Sequence, residues 1–237
     1  MILVIDTATS RAVVGLGTGP DGADAPAGPA GGIAVRTWPV RHQHGETLLP
    51  TLIAFLAEQG AALTDLSGII VGTGPGAFTG LRVGLATAKG LAHGLGLPIV
   101  GISTAEALLE AARVPGDATD AGSDAPRQLL LLPAGPNDRV AVRAGRSPEL
   151  LPGGEEPSID REDRLVAVDL DGRAPADAVV RGDAARDGLA GALFRLGVAR
   201  LAAGEPDDLA VLVPEYVTLP RGIRASSGEM TWSRDHR

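Results

Sequence analysis

Residues 68–92 read GIIVGTGPGAFTGLRVGLATAKGLA. The run Gly68–Gly72 is short and apolar, as a buried strand requires. A glycine-rich turn, Thr73–Phe78, follows it. Small and aliphatic residues then recur at helical spacing to about Gly94, and Thr79 stands where a helix cap belongs. A strand, a tight glycine turn and a helix in this order bring free backbone N–H groups and the positive end of a helix dipole to one place. Such a place suits an anion. A purely structural turn accounts for the same residues. No Gly-Lys-Ser/Thr follows the loop and the spacing G-x-G-x-x-G is absent, which excludes a Walker loop and a dinucleotide fingerprint.

Working outward, Met1–Asp6 reads as a strand ending in a carboxylate. Arg11–Gly17 reads as the second arm of a hairpin about a Thr7–Ser10 turn, and Gly32–Val40 as a third strand. Leu48, Leu49, Leu52, Ile53, Phe55 and Leu56 set a helix over Glu46–Gln59, with Pro50 in its first turn. Pro98–Ile102 is a strand and Ser103–Ala112 a helix. The second half carries weaker signals: strands at Gln128–Leu132, Arg139–Arg143 and Leu165–Asp169, a loop-rich stretch over 145–163, and a last helix from an Asp187 cap to about Ala203. Residues 209–217, LAVLVPEYV, look strand-like. Residues 18–31 and 114–126 have loop and linker composition. The order βββαβαβα predicts an α/β fold with mixed sheets. The division falls near 103: residues 1–103 form a first subdomain. Residues 104–237 form a smaller second one, whose last helix packs back on the first.

Composition narrows the chemistry. The chain has 237 residues, a formal net charge of −8 and no cysteine. Without cysteine there is no disulfide, no thiolate metal site and no thiol nucleophile. The acidic balance lacks the footprint of a chain that grips nucleic acid alone. No apolar run has the length of a membrane span and no basic segment opens the chain, so a cytoplasmic protein is expected. Lys89 is the single lysine among 21 basic residues.

Three constellations invite a chemical reading. Asp6 with Thr7, Thr9 and Ser10 suits Mg²⁺ held through water beside a phosphate, or an Asx or Ser/Thr turn closing a hairpin. Gly74, Gly76 and Thr79 belong to the loop described above. His42, His44 and Glu46 offer imidazole and carboxylate at alternate positions, but no third ligand and no HExxH accompany them. A polar helix entrance accounts for them better. On the second helix Arg82, Ala86, Lys89 and His93 form one stripe, either a solvated face or the complement of an acidic partner.

ILVIDTATS at the start, HGETLLP at 44–50, GTGPGAFTGLRVGLATAKGLA at 72–92 and LPIVGIST at 97–104 together resemble the TsaB (YeaZ) family of tRNA threonylcarbamoyladenosine biosynthesis. VVRGDAAR (179–186) resembles a glycine-rich turn of that family, and PEYV (214–217) its closing motif. The family usually has Ser where this chain has Ala77, and an Asp-Ala-Arg run where it has Pro133-Ala134-Gly135. The resemblance implies an actin/Hsp70/sugar-kinase-like (ASKHA) fold of two subdomains. It implies a non-catalytic subunit with no catalytic residue and no metal ligand of its own. That subunit binds a TsaD-type paralogue through its first two helices, with a TsaE-type ATPase joining and tRNA met through the complex.

On this reading Asp6, Thr7, Thr9, Gly74, Gly76 and Thr79 are degenerate phosphate loops. No cofactor is tightly bound, and ATP or ADP with Mg²⁺ is admitted only at the subunit junction. Leu48, Leu52 and Phe55 with Arg82, Ala86 and Lys89 are the expected partner interface, and without a partner the same patch is expected to form a homodimer. The competing expectations are a Mg-dependent ATPase or small-molecule kinase of the same fold, and a metallopeptidase built on His42, His44 and Glu46.

Overall fold

The structure, a computed structural model, describes residues 1–19, 32–40, 44–113, 127–153 and 155–217. Strands β1 (Ile2–Asp6), β2 (Arg11–Gly17), β3 (Ile33–Pro39), β4 (Gly68–Gly72) and β5 (Ile99–Ile102) form one sheet in the order β3-β2-β1-β4-β5. The first three are antiparallel, while β4 and β5 run parallel to β1. A second sheet orders β8 (Glu149–Leu151), β7 (Arg139–Val142), β6 (Arg127–Pro133) and β9 (Asp163–Ala167). Helices α1 (His44–Glu58) and α2 (Phe78–Leu95) cover one face of the first sheet. Helices α3 (Thr104–Ala111) and α4 (Ala176–Ala202) cover the other and continue onto the second sheet. This is the mixed α/β fold of two sheets with flanking helices that the ASKHA reading anticipates.

Alternation along β1 explains how one strand serves two layers. Leu3 and Ile5 are buried toward α1 and α2, among Leu48, Leu52, Phe55, Leu85 and Ala88. Ile2 and Val4 are buried toward α4, among Leu189, Leu193 and Phe194. Burying each large aliphatic side chain contributes about 2 kcal/mol, so a strand apolar on both faces is held from both sides.

Several boundaries differ from the sequence reading. Helix α1 begins at His44, which moves Pro50 into the second turn, where its ring is exposed and interrupts only a solvent-side hydrogen bond. Thr79 does not cap α2: the helix begins at Phe78, Ala77 is the N-cap residue without a side-chain cap bond, and Thr79 is exposed in the first turn.

Helix α4 begins at Ala176 rather than at Asp187, so Asp187 is interior and VVRGDAAR is helical, not a turn. The glycine there serves packing. A Cβ on Gly182 would overlap the carbonyl of Ala167 at the end of β9, so only glycine lets the helix lie this close. Residues 149–151 add a short strand within the stretch read as loop. Residues 209–217 are not a strand, because the backbone N–H of Glu215 goes to a loop carbonyl and Lys89 takes that of Leu212.

Candidate functional site

The turn after β1 and the glycine loop after β4 face each other. Asp6 is fully buried. Its Oδ1 accepts the N–H of Ala8 at 2.9 Å and its Oδ2 accepts the Thr104 hydroxyl at 2.7 Å. Burial pushes its carboxyl up to about 6, against the two hydrogen bonds that favour the charged form. The Thr7 hydroxyl donates to Gly80 O at 2.7 Å, and the Thr9 hydroxyl donates to Arg11 O at 2.9 Å, closing the turn.

The loop is consumed by the chain itself. Thr73 N–H donates to Ile102 O at 2.9 Å and Ala77 N–H to Ala8 O at 2.7 Å. Gly74 N–H donates to the Thr104 hydroxyl at 3.1 Å, while Gly74 O accepts from Thr104 N–H at 2.7 Å and from Ser103 Oγ at 3.0 Å. A Cβ on Gly76 would overlap the Ala8 carbonyl, and one on Gly72 would overlap the Asp6 carboxylate. The glycines therefore allow backbone against backbone. The N–H groups of Thr73, Gly74 and Ala77 are thus taken within the chain, and Ala8 and Thr104 lie directly against Asp6 and the loop. Among the described residues no group of three or more His, Cys, Asp or Glu is placed to hold a metal ion. His42 lies outside the described residues. His44 begins α1, its side chain outside the description, and Glu46 is exposed on the first turn.

A second set of contacts closes the same turn from the other side. Ser10 donates its N–H to Asp169 Oδ2 at 2.6 Å and its hydroxyl to Asp169 Oδ1 at 2.5 Å. Arg186 of α4 donates to Asp169 Oδ1 at 2.5 Å and to Asp183 Oδ1 at 2.6 Å. Asp169 follows β9 and holds φ at 56°, a left-handed conformation that Asp tolerates better than most side chains. The first hairpin is thereby clasped to the second sheet. The sequence by itself places Asp169 only at the end of a strand. Its backbone strain and its Ser10 partner have no local signature.

On the other side of the first sheet, α1 and α2 turn an outer face to solvent. Leu48, Leu52 and Phe55 were expected to face a partner, yet all three are buried in the chain's own core against Leu3, Ile5 and Val14. The helical period places Leu49 and Ile53 outward instead, 45% and 42% exposed. On α2, Arg82, Ala86 and Gly90 are exposed. Lys89 is half-buried and donates to Leu212 O at 3.0 Å, so one of its three donors is held within the chain. Arg82 donates Nε–H to the Tyr216 hydroxyl at 2.8 Å, and its guanidinium lies 3.8 Å above the Phe78 ring. Glu215, beside Tyr216, accepts the Ser103 hydroxyl at 3.1 Å, and burial raises its carboxyl above the usual range. Among the described residues no helix is long and apolar enough to cross a membrane.

Comparison with known proteins gives this geometry a context. Residues 30–176 match the family described as TsaD: tRNA N6-adenosine threonylcarbamoyltransferase, which is more than half of the chain. An uncharacterized protein of Mycobacterium leprae (strain TN) is 38% identical over 117 residues, 49% of this chain and 30% of that relative. The tRNA threonylcarbamoyladenosine biosynthesis protein TsaB of Escherichia coli (strain K12) is 44% identical over 62 residues, 26% of this chain and 27% of that protein. The matched stretches thus span under a third of these curated relatives. The solved structure of YeaZ from Pseudomonas aeruginosa superimposes with a TM-score of 0.64 at 24% identity, covering 91% of this chain and 99% of that one, and shares the fold.

Proposed function

The chain belongs to the TsaD family, within it to the TsaB (YeaZ) group, and from that premise we propose that it is a non-catalytic scaffold subunit. It binds a TsaD-type paralogue and supports threonylcarbamoyl transfer to the tRNA adenosine beside the anticodon. A TsaE-type ATPase joins the pair, and tRNA is met through the assembly. The observation that carries the reading is the closed turn: each Asp6 oxygen accepts a bond from the chain itself, from Ala8 and from Thr104, and Gly76 packs on Ala8. ATP or ADP with Mg²⁺ belongs at the junction with the partner, not inside this chain.

Affinity comes from the outward residues of the two helices, Leu49, Ile53 and Ala86, with Gly90 allowing close approach. Alone, the same surface pairs two copies of the chain as a homodimer.

Native mass measured alone and after mixing with the TsaD-type subunit of the same source tests this. A dimer that exchanges into a heterodimer is expected, and Ala86→Glu and Ile53→Glu are each expected to weaken it at least tenfold with folding intact. A chain whose mass does not change on mixing would sink the scaffold reading. The Leu52→Ala variant separates the two faces of α1: it costs about 3 kcal/mol of stability because Leu52 is core, while Ile53→Ala stays within about 0.5 kcal/mol.

A further inference from the structure

Residues 205–217 leave the end of α4 and run as a strap along the first sheet. Asp207 covers the free edge of β5: its N–H donates to Ile99 O at 2.8 Å and its Oδ2 accepts Gly101 N–H at 2.7 Å. Arg200 holds the same carboxylate at 2.9 Å. The strap then follows α2 in the opposite direction. Leu212 O meets Lys89, Glu215 N–H donates to Thr73 O at 2.7 Å, and Tyr216 meets Arg82 near the helix start. These six contacts fix a segment that has no helix or strand.

Its side chains divide by face. Leu209 and Leu212 pack inward on the core of α1 and α2. Val211, Val213 and Tyr216 point out, 70%, 63% and 43% exposed. Since α1 lies over β2, α2 over β4 and the strap along β5, the three form parallel rails on one side of the sheet. The middle rail carries Ala86 and the Arg82 guanidinium. Rings of Phe78 and Tyr216 hold that guanidinium at 3.8 and 5.6 Å. Its two Nη groups have no partner among the described residues, so an exposed, ring-held planar fork keeps free donors.

We propose that the strap is the third rail of the partner-binding surface: Val211, Val213 and Tyr216 extend the α1–α2 face, and Arg82 takes a carboxylate of the bound subunit. The proposal rests on the scaffold reading above. It commits to a TsaD-type partner that sets apolar side chains on Val211 and Val213 and a carboxylate on Arg82, because an unpaired, ring-stacked guanidinium is matched by a carboxylate. Lys89 anchors the strap through Leu212.

The test is the affinity of the full chain for the TsaD-type subunit, read by isothermal calorimetry. The double variant Val211→Glu/Val213→Glu, at exposed positions that leave the core untouched, is expected to bind at least tenfold more weakly, and Val211→Ser/Val213→Ser several-fold more weakly. Val180→Glu adds a charge at a valine of α4 that is 67% exposed, and it is expected to bind within twofold of wild type. Wild-type affinity in the double glutamate variant overturns the strap proposal and leaves the scaffold reading standing. Equal weakening by Val180→Glu also overturns it, since the effect is then one of charge alone. No binding by the wild-type chain removes the scaffold reading and the strap proposal with it.

Discussion

Thr104 donates its hydroxyl to the buried carboxylate of Asp6 at 2.7 Å, joining the first residue of α3 to the last of β1. The same hydroxyl oxygen accepts Gly74 N–H at 3.1 Å. One side chain therefore ties together the strand end, the glycine loop and a helix start.

The buried carboxyl of Asp6 makes stability depend on pH. Its folded-state value of about 6 lies above the ordinary 3.8, so the folded chain holds this proton more tightly than the unfolded chain. The contribution is complete below about pH 4 and is lost as pH rises through about 6. The loss is on the order of 3 kcal/mol. Asp6→Asn is expected to flatten this part of the profile. Urea denaturation at a series of pH values checks it, and parallel profiles for the two proteins would exclude the assignment.

Gly182 lies inside α4, where replacement by alanine ordinarily stabilises a helix by about 1 kcal/mol. The opposite sign is expected here, because the added methyl overlaps the Ala167 carbonyl. A loss of about 2 kcal/mol or more in the urea midpoint is predicted. Gly90, with nothing near its Cβ position, should show the ordinary gain.

The clasp between Arg186 and Asp169 joins side chains that are 15% and 11% exposed. Removing either partner takes a charge-assisted bond from a largely buried group that keeps only Asp183 or Ser10, at about 2 kcal/mol. The double variant Arg186→Ala/Asp169→Ala should cost less than the sum of the single ones, with a coupling of about 1 kcal/mol or more. Simple additivity in a double-mutant cycle would show that the pair does not hold the hairpin to the second sheet.

Much of the first half was legible from its periods. Leu3, Ile5, Ile69 and Val71 sit in strands that read as strands, and α1 and α2 follow the spacing of Leu48, Leu52, Leu85 and Ala88. The inward and outward faces of α1 were not assigned correctly. Leu48, Leu49, Leu52 and Ile53 are all apolar, so the amphipathic contrast that would mark the buried stripe is weak. Helix α4 was cut short for a related reason: Gly182 in VVRGDAAR carries a turn signal when read locally, and its packing against Ala167 involves another element.

The sequence by itself determined the strand–turn–helix order of the first half, the small-residue character of α2 and the family, since each lies in contiguous residues. Only the tertiary structure decided what the charged and polar groups do. Arg82 meets Tyr216 across 134 positions, Lys89 meets Leu212 across 123, and Ser10 meets Asp169 across 159. No local period encodes such pairings. They exist because the two sheets and the strap, packed on shared helices, bring distant residues within hydrogen-bond range, and that packing turns Asp6 and the glycine loop from a ligand cradle into a closed joint.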